Sequence, residues 1–208
     1  MVFDPGCRRC PRLAAFLDQV ADSHPDYHCA PVPPFGDPDA RLLVVGLAPG
    51  MHGANRSGRP FTGDHAGILL YAMLHRFGFS SAPESLSADD GLTLENCRIT
   101  NAVKCLPPGN KPVGAEINTC NDFLANELRI LPPGAVVLAL GGIAHRAVVK
   151  ALGLRQADYR FAHGAVHDAG DVALLDSYHC SRYNTNTGRL TETMFAEVFA
   201  EARRLLDQ

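Results

Sequence analysis

The stretch RLLVVGLAPGMHGANRSGRPFTGDHAGILLYAMLHRF, residues 41–77, decides the architecture. Arg41 to Leu47 is continuously apolar after its first residue, the pattern of a strand covered on both faces. Five glycines between Gly46 and Gly63 then permit close backbone approach and unusual dihedrals. Asp64 stands immediately before an amphipathic run at 66–77, the usual place for a helix N-cap. Working outward, strands are expected at 97–103, 135–141 and 172–178. Helices are expected at Leu13–Val20, 115–130, 142–151 and 190–205. This alternation predicts an α/β fold, a three-layer α/β/α sandwich with a mostly parallel central sheet. Right-handed crossovers would gather the ligand loops at the carboxyl ends of the strands. At 208 residues the chain is expected to form one domain, 1–208, with a full core of its own.

Nineteen basic and 22 acidic residues leave a net charge of −3, which excludes a broadly basic nucleic-acid coat. A local basic rim is still expected, from Arg56, Arg59, Lys104 and Lys111. The opening MVFDPGC lacks the basic start and apolar stretch of a secretory leader, and the seven cysteines are an odd number. A cytoplasmic location is therefore expected. No run approaches the roughly 18 apolar residues that span a bilayer.

Cys7 and Cys10 form a CxxC pair that can present two thiolates to one metal centre, and a closed site needs two more sulfurs. Cys105 and Cys120 are the expected donors, on a segment stiffened by Pro107, Pro108 and Pro112. Four thiolates suit either zinc or an iron–sulfur cluster. Cys29, Cys97 and Cys180 fall outside the pattern and read as small apolar residues.

Three strand ends carry polar motifs. The glycine loop is not a nucleoside triphosphate loop, because Gly53 to Gly58 is followed by Arg59 and Pro60 rather than Lys and Ser or Thr. Asn101 ends the second strand, where its amide offers one acceptor and a donor pair. His179 ends another strand, just before the polar stretch RYNTNTGRL at 182–190, and can donate to a developing negative charge. Each residue also has a structural reading: Asp64 as a helix cap, Asn101 and His179 as strand-end residues, Phe61 as core. Capping and catalysis by Asp64 can coexist.

The combination of HGANRSGRPFTGD, TNAVKC and SYHCSRYNTNTGRLT resembles the iron–sulfur uracil-DNA glycosylases, most closely the type-B group, or family five. The resemblance runs from Cys7 through the C-terminal helix. It implies a [4Fe–4S] cluster on Cys7, Cys10, Cys105 and Cys120. It also implies a pocket formed by Gly46, Ala48, Phe61, Asn101 and His179, and contacts to DNA from Ser181 and Asn184. Phe61 would stack on an extruded base and Asn101 would read its edge. His179 would help the base depart, and Asp64 would orient water or stabilise the sugar cation. The implied activity is monofunctional excision of uracil and other deaminated bases such as hypoxanthine and xanthine, by a monomer with no membrane partner. The family's usual His-Pro-Ser is here His179-Cys180-Ser181, which frees one backbone dihedral and predicts a less preorganised loop. Tyr183 stands where a smaller polar residue is usual and offers a stacking wedge. Two rivals are a catalytically weak damaged-DNA-binding module of the same fold and a zinc-stabilised hydrolase acting on nucleotides.

Overall fold

The computed structural model describes residues 2–208. Helix α1 (Pro11–Ser23) starts on a proline, whose missing N–H costs nothing at that position, and buries Leu13, Ala14, Leu17 and Val20. A two-residue strand β1 (Phe35–Gly36) precedes β2 (Leu42–Gly46), which leads through the short α2 (Ala54–Ser57) into α3 (His65–Arg76). Strand β3 (Cys97–Asn101) is followed by α4 (Gly114–Arg129), β4 (Ala135–Leu140) and α5 (Gly142–Ala151). The chain ends with β5 (Val166–Asp168), β6 (Val172–Ser177), α6 (Arg182–Asn186) and α7 (Glu192–Leu206).

The strands form one sheet in the order β1-β3-β2-β4-β6-β5, with a parallel centre and antiparallel edges. Strand periodicity assigns the two faces. Leu42 and Val44 pack with Leu70, Leu74, Phe195 and Phe199 from α3 and α7, whereas Leu43 and Val45 pack with Leu124, Ala147 and Val148 from α4 and α5. The predicted three-layer sandwich is observed. The sequence did not announce the edge strands β1 and β5, which are too short to carry a period. The chain places β3 on one side of β2 and β4 on the other, so the loops after β2 and β4 diverge. That divergence opens a crevice at the carboxyl ends of the strands.

Two basic residues expected on a rim are structural. Arg59 is buried, pairs with Asp90 at 2.6 Å and donates to Ser85 Oγ at 2.8 Å, tying the glycine loop to the following segment. Burial opposes ionisation of Asp90, but Arg59 and the backbone N–H groups of Leu92, Leu86 and Ser87 hold its carboxyl below the ordinary range. Lys104 is also buried, 2.6 Å from Glu127 and bonded to Thr100. Two long side chains with enough apolar stem to cross a core have found acceptors inside it. Arg56 and Lys111 are exposed, as expected.

A second buried network joins α5 to β6. His145 Nδ1 lies 2.7 Å from Asp176 Oδ1 and its Nε2 lies 2.9 Å from the Tyr159 carbonyl oxygen. Both partners accept, so both ring nitrogens donate and the ring is an imidazolium. His167 Nε2 adds a contact to Asp176 Oδ2 at 3.1 Å. Burial alone would lower the His145 pKa, but the bonds to Asp176 and Tyr159 outweigh it and raise it above the ordinary value. Its stabilisation is therefore complete below the unfolded imidazole value of about 6.5 and is lost as pH rises through the folded one. His145→Leu should cost about 3 kcal/mol in urea unfolding at about pH 6, with a smaller gap from the native chain at about pH 9. A gap that widens with pH would contradict the imidazolium assignment.

Candidate active site

The crevice at the strand ends is a cavity of about 480 Å³. Leu47, Ala48 and Gly50 line it from the loop after β2, and Asn101 from the end of β3. Leu140, Gly141, Gly142 and Ile143 supply the β4–α5 wall, while His179, Ser181 and Arg182 follow β6. Phe61 and Asp64 close it from the glycine loop.

Pairing in register places Gly46 opposite Asn101, and this juxtaposition builds the pocket floor. A Cβ on Gly46 would lie 2.4 Å from Asn101 Oδ1 and 2.6 Å from Phe61 Cζ, so only glycine lets the two side chains converge. Phe61 is buried and lies in the left-handed region at φ +55°, a conformation the surrounding loop must enforce. Its ring stacks on His179 with centroids 5.9 Å apart and 27° between planes. Asn101 is buried apart from the part of it that lines the cavity, and its side-chain amide makes no hydrogen bond to the described residues. An amide that faces an open cavity offers its acceptor and donors to whatever enters.

His179 Nδ1 is enclosed without a partner among the described residues. Burial pushes the His179 pKa down to about 4, so the ring is neutral at physiological pH. Asp64 is the helix cap that its sequence position predicts: Oδ1 accepts from the Gly67 N–H at 2.8 Å. Its second oxygen faces Gly53, where an added Cβ would lie 2.8 Å from Oδ2. Burial raises the Asp64 pKa, against the opposing effect of the Gly67 and Ala66 N–H groups and His65. One oxygen caps the helix, and the residue also lines the cavity.

The residues after His179 are held by burial and by side-chain hydrogen bonds. Cys180 is fully buried in the core, and Ser181 caps α6 by accepting from Asn184 N–H at 3.4 Å. The Asn184 amide donates to the His179 carbonyl at 2.8 Å, so this side chain holds the histidine's backbone. Thr185 Oγ1 reaches His65 Nε2 at 3.1 Å, linking this stretch to the residue after Asp64. Tyr183 projects into solvent. His52 lies outside the cavity, bonded to the Tyr27 hydroxyl at 2.9 Å.

Behind the pocket, Cys7, Cys10, Cys105 and Cys120 line one small cavity with Leu13, Val103 and Phe123. Ala48 packs against this cluster while also lining the main pocket, so the two sites share a wall. Arg12 holds α1 to α4 through Glu116 at 2.7 Å, and Arg9 reaches Asp122 at 2.9 Å. Burial and the neighbouring sulfurs raise the Cys105 thiol to about 12; burial raises Cys120 to about 11, with the Lys104 N–H opposing. Among the described residues, no three of these sulfurs lie within 4.8 Å of one another. Thiolates around one tetrahedral zinc would be about 3.8 Å apart, given Zn–S of about 2.3 Å.

The pocket brings together Ala48, Phe61, Asp64, Asn101, His179 and Ser181, with Gly46 as its floor. Sequence reading missed the wall from Leu140 to Ile143, because that strand end carries glycines and an isoleucine instead of polar groups. The Gly141-Gly142 pair between an expected strand and helix was the available signal.

Residues 33–203 match the family described as the uracil DNA glycosylase superfamily. The chain belongs to that superfamily. A type-5 uracil-DNA glycosylase of Thermus thermophilus is 51% identical, covering 96% of this chain and 93% of that one. Another, from Pyrobaculum aerophilum, is 46% identical over 94% of this chain and 87% of its own length. A type-4 uracil-DNA glycosylase of Sulfurisphaera tokodaii is more distant, at 29% over 80% of this chain and 72% of its own length. The crystal structure of Pedobacter heparinus SMUG2 shares the fold, with a TM-score of 0.50 at 14% identity over 81% of this chain and 76% of that one.

Gly46→Ala should force Phe61 or Asn101 aside at a cost of about 1–3 kcal/mol in thermal unfolding. Nuclear Overhauser contacts between the Phe61 and His179 rings should disappear. A variant with native stability and intact ring contacts would show that the floor can yield.

Proposed function

We propose that the cavity receives an extruded uracil, read by Asn101 and stacked on Phe61, and that a [4Fe–4S] cluster held by Cys7, Cys10, Cys105 and Cys120 braces its rear wall. The chain is a hydrolytic DNA N-glycosylase that removes uracil in base-excision repair. The observation that carries the uracil reading is the open, buried Asn101 amide beside an aromatic face. Such an amide accepts from uracil N3–H and donates to O4, whereas cytosine presents the opposite pattern and would leave buried groups unpaired. Hypoxanthine and xanthine offer the same edge and belong to the proposed range.

Glycosidic cleavage leaves positive charge on the deoxyribose and negative charge on the departing base. A neutral His179 donates a hydrogen bond to the base anion through Nε2–H, the ring nitrogen that is not enclosed. Water adds at the sugar carbon as the bond to the base breaks. Orienting that water and stabilising the cation both require an ionised Asp64. No lysine lines the cavity: Lys104 is paired with Glu127, Lys150 bonds Asn118, and the exposed Lys111 is not among the lining residues although its neighbour Asn110 is. No Schiff base forms, and the enzyme is monofunctional. Ser181 and the exposed residues of the 182–189 stretch face the duplex, with Arg56 and Lys111 adding positive charge. One chain forms the whole pocket, which suits a monomer.

The cluster reading rests on four unpaired thiols around one cavity, spaced more widely than a single zinc requires. The thiols oppose one another's ionisation, and bound metal would offset that repulsion. When bound, the cluster supplies a structural cross-link among α1, α4 and the segment after β3. No helix among the described residues is long and apolar enough to cross a membrane. Seven unpaired cysteines suit a reducing, cytoplasmic compartment.

Single-turnover release of uracil opposite guanine should be strong in the native chain and reduced about 10²-fold or more in Asp64→Asn. Equal release by both would return Asp64 to capping alone. Because His179 is neutral down to about 4, an acid limb in the native rate should report protonation of Asp64, whose pKa burial raises. An acid limb that persists in the residual activity of Asp64→Asn would instead require a protonatable imidazole. Purified protein should contain four irons and four sulfides, lost together in Cys120→Ala, whereas zinc in their place would refute the cluster.

A further inference from the structure

We propose that His163 is a positioning residue for His179, holding the backbone one residue ahead of it through the Tyr178 amide and ring. The inference rests on the reading of His179 as donor to the departing base. Sheet pairing of β6 with β4 ends at Ser177, whose carbonyl accepts from the Gly141 N–H at 2.8 Å. From Tyr178 onward the chain has left the ladder, and its amides need other partners.

His163, on the segment between α5 and β5, supplies one. The Tyr178 N–H donates to His163 Nδ1 at 3.1 Å. An amide can only donate, so Nδ1 must carry the lone pair and the ring proton must sit on Nε2. The same imidazole stacks on the Tyr178 ring, with centroids 4.9 Å apart and 13° between planes. The Arg189 guanidinium lies 4.7 Å from that ring's centroid. Phe161 packs against Tyr178 at 6.2 Å and lies beside Gly142 of the pocket wall. At the other side of the histidine, Asn184 holds the His179 carbonyl. The backbone that carries His179 is thus gripped on both sides, once by a side chain from a different segment.

Burial lowers the His163 pKa, against the opposing effect of Glu197 and the Met194 carbonyl on α7. The neutral form is the one that can accept, so burial and bonding favour the same state. Arg189 closes the exposed stretch after His179, which the proposed function turns toward DNA. The stack therefore joins that stretch to the base pocket by direct contact.

Four proteins test this by single-turnover uracil release and by binding to uracil DNA: His163→Phe, His163→Asn, His179→Asn and the double variant His163→Phe with His179→Asn. Phenylalanine keeps an aromatic ring but leaves the Tyr178 N–H without an acceptor, whereas the carboxamide oxygen of an asparagine can replace Nδ1. Release by His163→Phe should fall about 10- to 100-fold, with DNA affinity within about twofold, as expected for a misplaced group. His163→Asn should recover most of that loss. In the His179→Asn background, His163→Phe should have no further effect, because it acts through the histidine. A native rate for His163→Phe, or an equal fold-loss with and without His179, would overturn the proposal. If His179→Asn itself releases uracil at the native rate, the donor reading has failed and the positioning proposal fails with it. Independently of any variant's folding, imidazole nitrogen spectra of the native protein should show His163 as the Nε2–H tautomer. An Nδ1–H tautomer would also overturn it.

Discussion

The structure turns on a contact that only a residue without a side chain permits. Where β2 ends, Gly46 lies across the ladder from Asn101, and the ring of Phe61 descends over both. The parallel register sets the height of Asn101. The loop sets Phe61, held at a positive φ, and glycine leaves the space in which they meet. Stacking of Phe61 on His179 then brings in the end of β6, so three strand ends reach one cavity through one crowded point. The crowding leaves the side chains of Asn101 and Phe61 little freedom where they meet the cavity.

Around that point the protein uses rigid internal bonds in place of a large basic surface. Arg59 and Lys104 place their charge inside the fold, one pinning the glycine loop and the other tying α4 to the strand that carries Asn101. The four-cysteine cavity lies directly behind Ala48, so whatever stiffens the cysteines also stiffens the pocket wall. Asp64 likewise serves two purposes. One oxygen ends a helix while the carboxylate also lines the cavity, and burial raises its pKa without a lysine or arginine to pair with it.

The loop after His179 is restrained by contacts that a local reading does not supply. Proline would have restricted one dihedral, but Cys180 anchors the same position by burying its side chain, and Ser181 and Asn184 restrain the backbone by hydrogen bonds. Preorganisation is a property of the set of contacts, and one missing ring does not measure it.

Much of the architecture was legible in the sequence, because continuous apolar strands and amphipathic helices carry their own periods. The four central strands and the five longer expected helices occur within a few residues of their predicted bounds. The side chains at the polar strand ends were legible too, since Asp64, Asn101 and His179 each stand where a strand or helix begins or ends. Edge strands of two or three residues carry no such period and were not. Nor were the inward turn of Arg59 and Lys104, the apolar wall from Leu140 to Ile143, or the grip of His163 on Tyr178. Each depends on partners distant in sequence, such as Glu127 for Lys104 or Tyr178 for His163. Sequence alone determined which chemical groups stand at the strand ends, because local periodicity and turn chemistry are written in neighbouring residues. Only the tertiary structure decided which of those groups share one cavity and which are sealed in the core, because that depends on strand order and on contacts between distant segments.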